Sequence, residues 1–247
     1  MFSFFALMQI KSANYTCMQI KFIGTGGAFE PAYYNAAAIL NFREKTILID
    51  AGFTVYPRLV ALNLLFSFDY ILLTHLHNDH CGSLANILLH RHFHGDGRKP
   101  ILLYQTESFK AQIQEFLRIQ LKDPEKYVDF APCNTVTELS ILDTFGRHSE
   151  EFQTYSFIWE EENERLVYSG DLQQADFLFT HLQTLAPLPT IVFHDISFNP
   201  ENKGHTHYTR LQLYQAHYSI FGYHCDPNQN PADNTIPLVY NQPEFMY

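Results

Sequence analysis

The chain has 247 residues, of which 46% are hydrophobic and 15% are aromatic, so it can bury a substantial core. Its 16 lysines and arginines are outnumbered by 26 aspartates and glutamates, which gives a formal net charge of -10. A protein that binds a long nucleic acid needs many cations against the phosphates, so this charge argues against an extended nucleic-acid partner. The same negative charge is compatible with a small phosphate-bearing ligand held by metal ions.

The first 17 residues, MFSFFALMQIKSANYTC, differ in character from the rest of the chain. They have a short apolar start without a basic region before it, and the apolar run is too short to cross a bilayer. Met18 opens MQIKFIGTGG, a cleaner strand start. We therefore expect residues 1–17 to be an N-terminal extension of uncertain status and residues 18–247 to form a single domain, with no membrane partner.

The four cysteines are widely scattered and include no C-x-x-C pair or dense framework of the secreted type. This spacing is typical of a chain in a reducing compartment, so we expect a cytoplasmic location. The cysteines are Cys17, Cys81, Cys133 and Cys225.

Hydrophobic periodicity predicts strands and helices along the whole chain, up to a proline-rich tail that starts at Asp226 and that we expect to be an ordered loop or a flexible end. The first part of the chain has predicted strands over 18–24, 35–42 and 45–52, and then a strand from Tyr70 that runs into a loop. A helix over 82–93, a strand over 99–105 and a helix over 107–121 follow. The last part has predicted strands over 137–145, 151–161 and 164–171, a helix over 173–185, a strand over 189–197, a helix after GHTHYT and a strand over 218–224.

The order of these elements bears on the fold. Strands come first, helices follow, and strands return, with no long linker and no repeat, which predicts an α+β chain with two packed sheets flanked by helices. A doubly wound fold would alternate strand and helix more regularly. GTGGAF does not favour it either, because Phe29 stands where a dinucleotide-binding loop has its third glycine.

The strongest chemical signal is the run His75-Leu76-His77-Asn78-Asp79-His80, which comes directly after a buried strand. It puts four potential ligands within six residues, and imidazole nitrogens and carboxylate oxygens suit zinc and related divalent ions. The tight spacing suggests two ions. A solvated polar loop is the alternative, but the run leads through Gly82 into a helix, which is the context typical of a metal site.

This run resembles H-x-H-x-D-H, the signature of the metallo-β-lactamase-fold hydrolases. The resemblance extends from about Met18 to Asp226, because KFIGTGGAF, LIDAG and VYSGD are similar to that family's first strand and glycine turn, its third strand, and the strand that delivers a bridging aspartate. It implies a four-layer αββα sandwich with two divalent metal ions, zinc or manganese. The ligands it implies are His75, His77 and His148 for one ion, Asp79, His80 and a late histidine for the other, and Asp171 bridging both.

Several of these positions also have an interpretation of their own. Taken alone, His148, between two strands, is a weak signal that favours an exposed loop histidine over a ligand. Asp171 ends an apolar strand, where a carboxylate needs a partner, so a ligand role is favoured over a turn aspartate. Asp50 ends TILID, and we expect it to accept a hydrogen bond from a ligating histidine and to fix its tautomer.

The late histidines separate subgroups of the family. Hydrolases similar to ribonuclease Z and the cyclic-nucleotide phosphodiesterases end with a ligand histidine after a late strand, and SIFGYHCDP supplies His224. KGHTHYT lies where that subgroup has another histidine, so the resemblance makes His205 a proton donor or phosphate contact, with Asp195 orienting it. His207 would bind the phosphate or support His205, and Asp79 would position the attacking water. The alternatives for His205 and Asp195 are a helix-start polar residue and a strand-end carboxylate.

GHTHYTRL is most similar to small phosphodiesterases of this fold that include the anti-Pycsar enzymes of phages, which destroy cyclic-nucleotide signals. The resemblance therefore implies a metal-dependent phosphodiesterase acting on a small nucleotide, cyclic or linear. Its rivals are tRNA 3′ processing, hydrolysis of lactones, β-lactams or thiolesters, and a metal-stabilised binding protein. A tRNA nuclease would want a basic arm, and the most basic stretch, RHFHGDGRKP, is short.

The sequence gives weaker signals for the residues that surround the metal site. Phe29, Tyr33 and Tyr34 come after the glycine turn and could stack on a nucleobase. A second subunit often completes the pocket in phosphodiesterases of this kind, so the resemblance also implies a homodimer.

Overall fold

The computed structural model describes residues 18–247, so the predicted N-terminal extension and Cys17 lie outside the described residues. The described strands form two sheets, one of six strands and one of five. The strands are β1 (Gln19–Gly24), β2 (Ala37–Phe42), β3 (Lys45–Ile49), β4 (Tyr70–Leu72), β5 (Ile101–Tyr104), β6 (Asp129–Pro132), β7 (Leu139–Asp143), β8 (Tyr155–Glu160), β9 (Arg165–Tyr168), β10 (Thr190–Asp195) and β11 (Ser219–Tyr223). The α-helices are α1 (Val55–Ala61), α2 (Asn78–Cys81), α3 (Leu84–His94), α4 (Glu107–Leu121), α5 (Ala175–Thr184) and α6 (Tyr208–Gln212).

The two sheets have related topologies. The first has the order β1-β2-β3-β4-β5-β6, with antiparallel pairing up to β3 and parallel pairing from β3 to β6. The second has the order β11-β10-β9-β8-β7, with β9, β10 and β11 parallel and β7, β8 and β9 antiparallel. Each sheet therefore has a parallel part, and ligand sites in such sheets lie beyond the carboxyl ends of the strands.

An aromatic cluster joins the two sheets. The ring of Phe22 on β1 lies 6.0 Å from that of Tyr168, 5.3 Å from Phe193 and 5.4 Å from Tyr223, all on the second sheet. These four side chains are fully buried, and burying large aromatic surfaces contributes strongly to such a core. The predicted packing of two sheets is thereby confirmed.

Helices cover the outer face of each sheet. Buried residues of α1, α3 and α4 belong to the same core as the first sheet, whereas those of α5 and α6 form a second core against β9, β10 and β11. In α4 the buried positions Phe109, Ile113 and Leu117 recur every four residues, and the Thr106 hydroxyl caps the first turn by accepting from the Phe109 N–H at 3.1 Å. The result is the predicted four-layer αββα sandwich.

Some local predictions were wrong or incomplete. The predicted strand over 45–52 ends at Ile49, because Asp50 takes a left-handed backbone conformation with φ of 62°. Helix α1 was missed, since Pro57 argues against a helix, although proline is tolerated in the first turn where it lies. Strand β6 was missed because it has only four residues and ends in proline. The tail is ordered, and Met246 pairs with Phe22.

The lengths of the helices and the state of the cysteines can also be given for residues 18–247. The longest helix among residues 18–247 is α4, with 15 residues, and none of the described helices is long and apolar enough to cross a membrane. The three described cysteines, Cys81, Cys133 and Cys225, are buried and unpaired. Burial raises the pKa of Cys81 and Cys133 to about 12, so both are inert thiols at neutral pH.

Candidate metal centre

The predicted site residues converge beyond the carboxyl ends of the parallel strands. Asp50 comes directly after β3, His75 lies three residues beyond β4, Asp171 three beyond β9, and His224 directly after β11. Parallel strands bring these ends to one edge, which explains why residues far apart in sequence meet. Gly170 lets the backbone before Asp171 pass close to β8. Its φ is 62°, and an added Cβ would lie 2.8 Å from the Tyr155 carbonyl oxygen.

A first ligand group consists of His75, His77, His148 and Asp171, whose ligand atoms all lie within 4.8 Å of one another. The Nε2 atom of His75 is 2.9 Å from Nδ1 of His77, and Nε2 of His148 is 3.1 Å from that same Nδ1. Asp171 Oδ2 lies 3.8 Å from the His75 Nε2 and 3.6 Å from the His148 Nε2. Three imidazoles and one carboxylate thus face a common point.

A second ligand group consists of Asp79, His80, Asp171 and His224. The Nε2 atom of His80 lies 3.3 Å from Asp79 Oδ2 and 3.3 Å from Asp171 Oδ2. His224 Nε2 lies 3.1 Å from Asp79 Oδ2 and 3.5 Å from Asp171 Oδ2. Asp171 therefore belongs to both groups, and the structure brings together all seven residues that the resemblance implied as ligands.

The chemistry of these groups fits metal ions. His80 Nε2 and Asp171 Oδ1 are buried side-chain atoms without a hydrogen-bond partner, whereas buried polar atoms are normally bonded. Cations would satisfy them, and a set of imidazole nitrogens and carboxylate oxygens is typical of zinc and related ions. The residues present therefore suit metal binding.

Other polar groups hold the candidate ligands in place. His80 Nδ1 lies 2.9 Å from Asp50 Oδ2, as expected for Asp50, and His148 Nδ1 lies 2.6 Å from the Gly204 carbonyl oxygen. Such partners keep the proton on the far nitrogen, so that Nε2 can act as the ligand. Thr74 was not anticipated from the sequence. Its N–H and hydroxyl donate to Asp50 at 2.8 and 2.9 Å and fix that carboxylate.

The charged groups of the metal-free centre shift one another's pKa values. Burial, with the charge on His80 adding to it, holds the pKa of His75 well below its usual range. Burial alone would also lower the pKa of His80, but the carboxylates of Asp171 and Asp50 raise it well above the usual range. Burial opposes the ionisation of Asp171, yet the charges on His224 and His80 hold its pKa well below the usual range. A metal ion would take the place of the His80 proton.

His205 lies beside the second ligand group and pairs with Asp195. Its Nδ1 atom is 2.8 Å from Asp195 Oδ2 and 3.8 Å from Asp171 Oδ2. Burial by itself lowers the pKa of His205, but the charge of Asp171 and the hydrogen bond to Asp195 outweigh it and raise the pKa to about 9. Asn202, another residue missed in the sequence, accepts from the N–H groups of Gly204 and His205 at 2.8 and 3.2 Å.

His207 lies elsewhere, although only one residue separates it from His205. Its Nδ1 atom is 2.8 Å from the Thr209 hydroxyl, and its ring lies 4.4 Å from that of Tyr208 at the start of α6. It does not line the cavity at the metal centre. The structure thus brings His205 and Asp195 to the centre as predicted and leaves His207 outside it.

A cavity of about 580 Å³ opens onto the two ligand groups and His205. Phe29, whose side chain is 90% exposed, and Phe198 form part of its wall. Tyr33 and Tyr34 do not line it, because Tyr33 packs on Tyr240 and the ring of Tyr34 lies under the Arg58 guanidinium. Of the three aromatic residues considered for stacking, only Phe29 is in position.

The family model described as Anti-Pycsar protein Apyc1 matches residues 18–239, which is most of the chain. The chain belongs to the Anti-Pycsar Apyc1 family. An Anti-Pycsar protein Apyc1 from Paenibacillus harenae is 32% identical over 170 residues, which cover 63% of this chain and 68% of that protein. One from Bacillus phage BSP38 is 29% identical over 202 residues, covering 73% and 77% of the two chains.

Solved structures agree on the fold. The metallo-β-lactamase-fold protein YhfI from Bacillus subtilis matches with a TM-score of 0.63 at 16% identity, over 85% of this chain and 87% of that one. The short form of human tRNase Z matches with a TM-score of 0.64 at 13% identity, over 85% and 94%. The metallo-β-lactamase fold implied by the sequence is confirmed, and with the family it supports a metal-dependent hydrolase.

Proposed function

We propose that this hydrolase is a dinuclear phosphodiesterase that acts on a small nucleotide, with a cyclic mononucleotide as the preferred substrate. The observation that carries the proposal is the pair of ligand groups that share Asp171 and adjoin the His205–Asp195 pair in one cavity. Two adjacent divalent ions and a separate proton donor are a combination that can cleave a phosphodiester. Membership of the Anti-Pycsar family points to the cyclic nucleotide.

Two divalent ions would be held by these residues, zinc in the first instance and manganese as the alternative. When bound, such a pair lowers the pKa of water and neutralises charge on phosphoryl oxygens. Asp171 would contribute to both sites. The remaining ligands would be His75, His77 and His148 in the first group and Asp79, His80 and His224 in the second.

His205 is assigned the role of proton donor to the departing sugar oxygen. Asp195 holds its Nδ1 atom, so Nε2 is left to donate. Asn202 supports this assignment, because its two hydrogen bonds fix the backbone that carries His205. His205 also forms a third group of potential ligands with Asp171 and Asp195, and the proposal assigns it proton transfer rather than metal binding.

Asp79 and His207 have different roles in the proposal. Asp79 lines the cavity and belongs to the second ligand group, so it is assigned to position the attacking water beside the ions. His207 is assigned no contact with the substrate, because it does not line the cavity. It acts at most through the backbone that leads to His205.

The size of the cavity supports a small substrate. A volume of about 580 Å³ lies in the range of small-molecule sites, and a mononucleotide fits that class. Phe29 and Phe198 offer apolar surface to a base. The net charge of -10 favours a small phosphodiester over an extended nucleic acid.

The cytoplasmic location and the homodimer stay predictions.

A screen of ester classes tests the proposal. The purified protein, reconstituted with zinc or with manganese, is incubated with 3′,5′-cyclic mononucleotides, bis(p-nitrophenyl) phosphate, a pre-tRNA, a lactone and a thiolester. We expect both phosphodiesters to be hydrolysed, the cyclic nucleotides to linear monophosphates, with little turnover of the others. Turnover of the lactone, the thiolester or the pre-tRNA alone would contradict the proposal, and metal binding without any hydrolysis would favour a binding protein.

A further inference from the structure

A second set of histidines lies on helix α3, outside the candidate metal centre. The sequence there reads His90-Arg91-His92-Phe93-His94. His90 and His94 are four residues apart and therefore share one face of the helix. Their ring centroids are 4.7 Å apart, close enough for one ion to reach a nitrogen of each. Two histidines at this helical spacing are a recurrent zinc-binding arrangement in metalloenzymes.

Tyr56 on α1 gives His90 the second partner that ligand histidines usually have. Its hydroxyl lies 3.0 Å from His90 Nδ1 and can accept the Nδ1–H, which leaves the Nε2 lone pair free for an ion. Tyr56 is itself anchored, because its backbone N–H donates to the Ser83 hydroxyl at 3.1 Å. The orientation of His90 is therefore built into the packing of α1 against α3.

The two imidazoles also share a small surface cavity of about 200 Å³. Asn86 lines the same cavity one helical turn before His90, so it lies on the same face of the helix. His90 is half-buried and His94 is exposed, so an ion can enter from solvent. The lining residues are Tyr56, Asn86, Leu89, His90, Phe93 and His94.

We propose that His90 and His94 bind one further transition-metal ion, with Zn²⁺ or Ni²⁺ as the preferred class. Asn86 and water complete the coordination, and Tyr56 positions His90. None of the seven ligand residues of the metal centre lines this cavity, so the two places can be emptied independently. The inference does not depend on the proposed hydrolysis. Its consequence is that the wild type binds one metal ion per chain more than a variant that lacks the α3 site.

Zinc binding to the full-length protein tests the inference. The wild type and His94→Gln are dialysed against a series of free Zn²⁺ concentrations, and bound zinc is measured per chain. We expect His94→Gln to bind one ion fewer at saturation while hydrolysis stays at the wild-type rate. His92→Gln is the matched control. His92 is on the same helix but packs against Tyr127, with ring centroids 4.9 Å apart, so this variant should retain the ion.

Two more variants make the result decisive. Asp171→Asn should lose zinc at the metal centre and keep the ion on α3, which separates this inference from the proposed function. Tyr56→Phe should weaken the α3 site by about tenfold, as loss of a ligand's supporting partner does. Equal zinc content in the wild type and His94→Gln would overturn the proposal. So would equal losses in His92→Gln and His94→Gln, which would indicate diffuse surface binding.

Discussion

The loop from His75 to His80 and the loop from Asn202 to His207 both carry closely spaced histidines, but the fold uses them differently. Every ionisable side chain of the first loop belongs to one of the two ligand groups. In the second loop, His205 pairs with Asp195 at 2.8 Å, whereas His207 bonds to Thr209. Close spacing in sequence therefore brings side chains to a site only where the backbone carries each of them there.

The backbone explains the difference. The first loop continues from buried β4 into the short helix α2, so its side chains stay next to the parallel strand ends. In the second loop the hydroxyl of Thr206 is buried and donates to the Leu172 carbonyl oxygen at 2.6 Å. His207 comes just before Tyr208, where α6 begins and redirects the chain, and its side chain contacts Thr209 in the first turn of that helix. Substitutions in the two loops should accordingly have unequal effects.

The largest effect is expected at Asp171, the residue shared by both ligand groups. Asp171→Asn keeps the size of the side chain but removes its charge, so both ions should be lost from the centre and hydrolysis with them. The loss should exceed the roughly 10–100-fold that removal of a ligand's supporting partner produces. Metal content and turnover are measured on the same preparation. Near-normal turnover in this variant would contradict the assignment of a shared ligand.

The second loop gives the sharpest paired comparison. His205→Gln should lower kcat by about 10²- to 10⁴-fold, the usual contribution of a general acid, without a loss of metal from the centre. His207→Gln is the matched control and should keep a kcat close to the wild type. Loss of an ion from His205→Gln would make His205 a ligand instead. Equal kcat losses in the two variants would remove the distinction between the two histidines.

A smaller effect is expected at Asp50, which supports the first loop without lining the cavity. Asparagine, like aspartate, tolerates the left-handed backbone conformation at position 50, where φ is 62°, so Asp50→Asn should not strain the backbone. It removes the charge that faces His80 at 2.9 Å, so metal affinity should fall by roughly 10–100-fold while kcat at saturating metal changes little. Competition with a chelator measures the affinity, and an unchanged affinity would mean that Asp50 only holds the backbone.

The smallest effect concerns stability and pH in the metal-free protein. The pKa of His205 in the folded chain, about 9, lies above the value of about 6.5 for an unfolded histidine. Its protonation therefore stabilises the fold fully below about pH 6.5, and this contribution is lost as the pH rises through about 9. Urea unfolding of the wild type and His205→Gln across this range should show a smaller decline in the variant. Parallel declines would indicate that His205 does not titrate in this window.

Much of the fold and of the site could be predicted from the sequence because its signals are local or match a known family pattern. The His75–His80 run is local, and strand-end positions made Asp171 and Asp50 recognisable. The position of His207 could not be predicted, since its direction depends on the buried hydroxyl of Thr206 and the start of α6. Thr74 and Asn202 were missed because a lone threonine and a loop asparagine carry no signal of their own in the sequence. Only the fold shows that Thr74 bonds to Asp50 and that Asn202 bonds to the backbone of His205.

Dependence of turnover on bound metal tests the central claim most directly. Zinc is added stepwise to the metal-stripped protein in the His94→Gln background, so that the proposed α3 site adds nothing to the count. Hydrolysis of a 3′,5′-cyclic mononucleotide is measured at each step. The account predicts that turnover rises until two ions are bound per chain and then levels off. Two bound ions without hydrolysis of any phosphodiester, or full turnover in the metal-stripped protein, would contradict it.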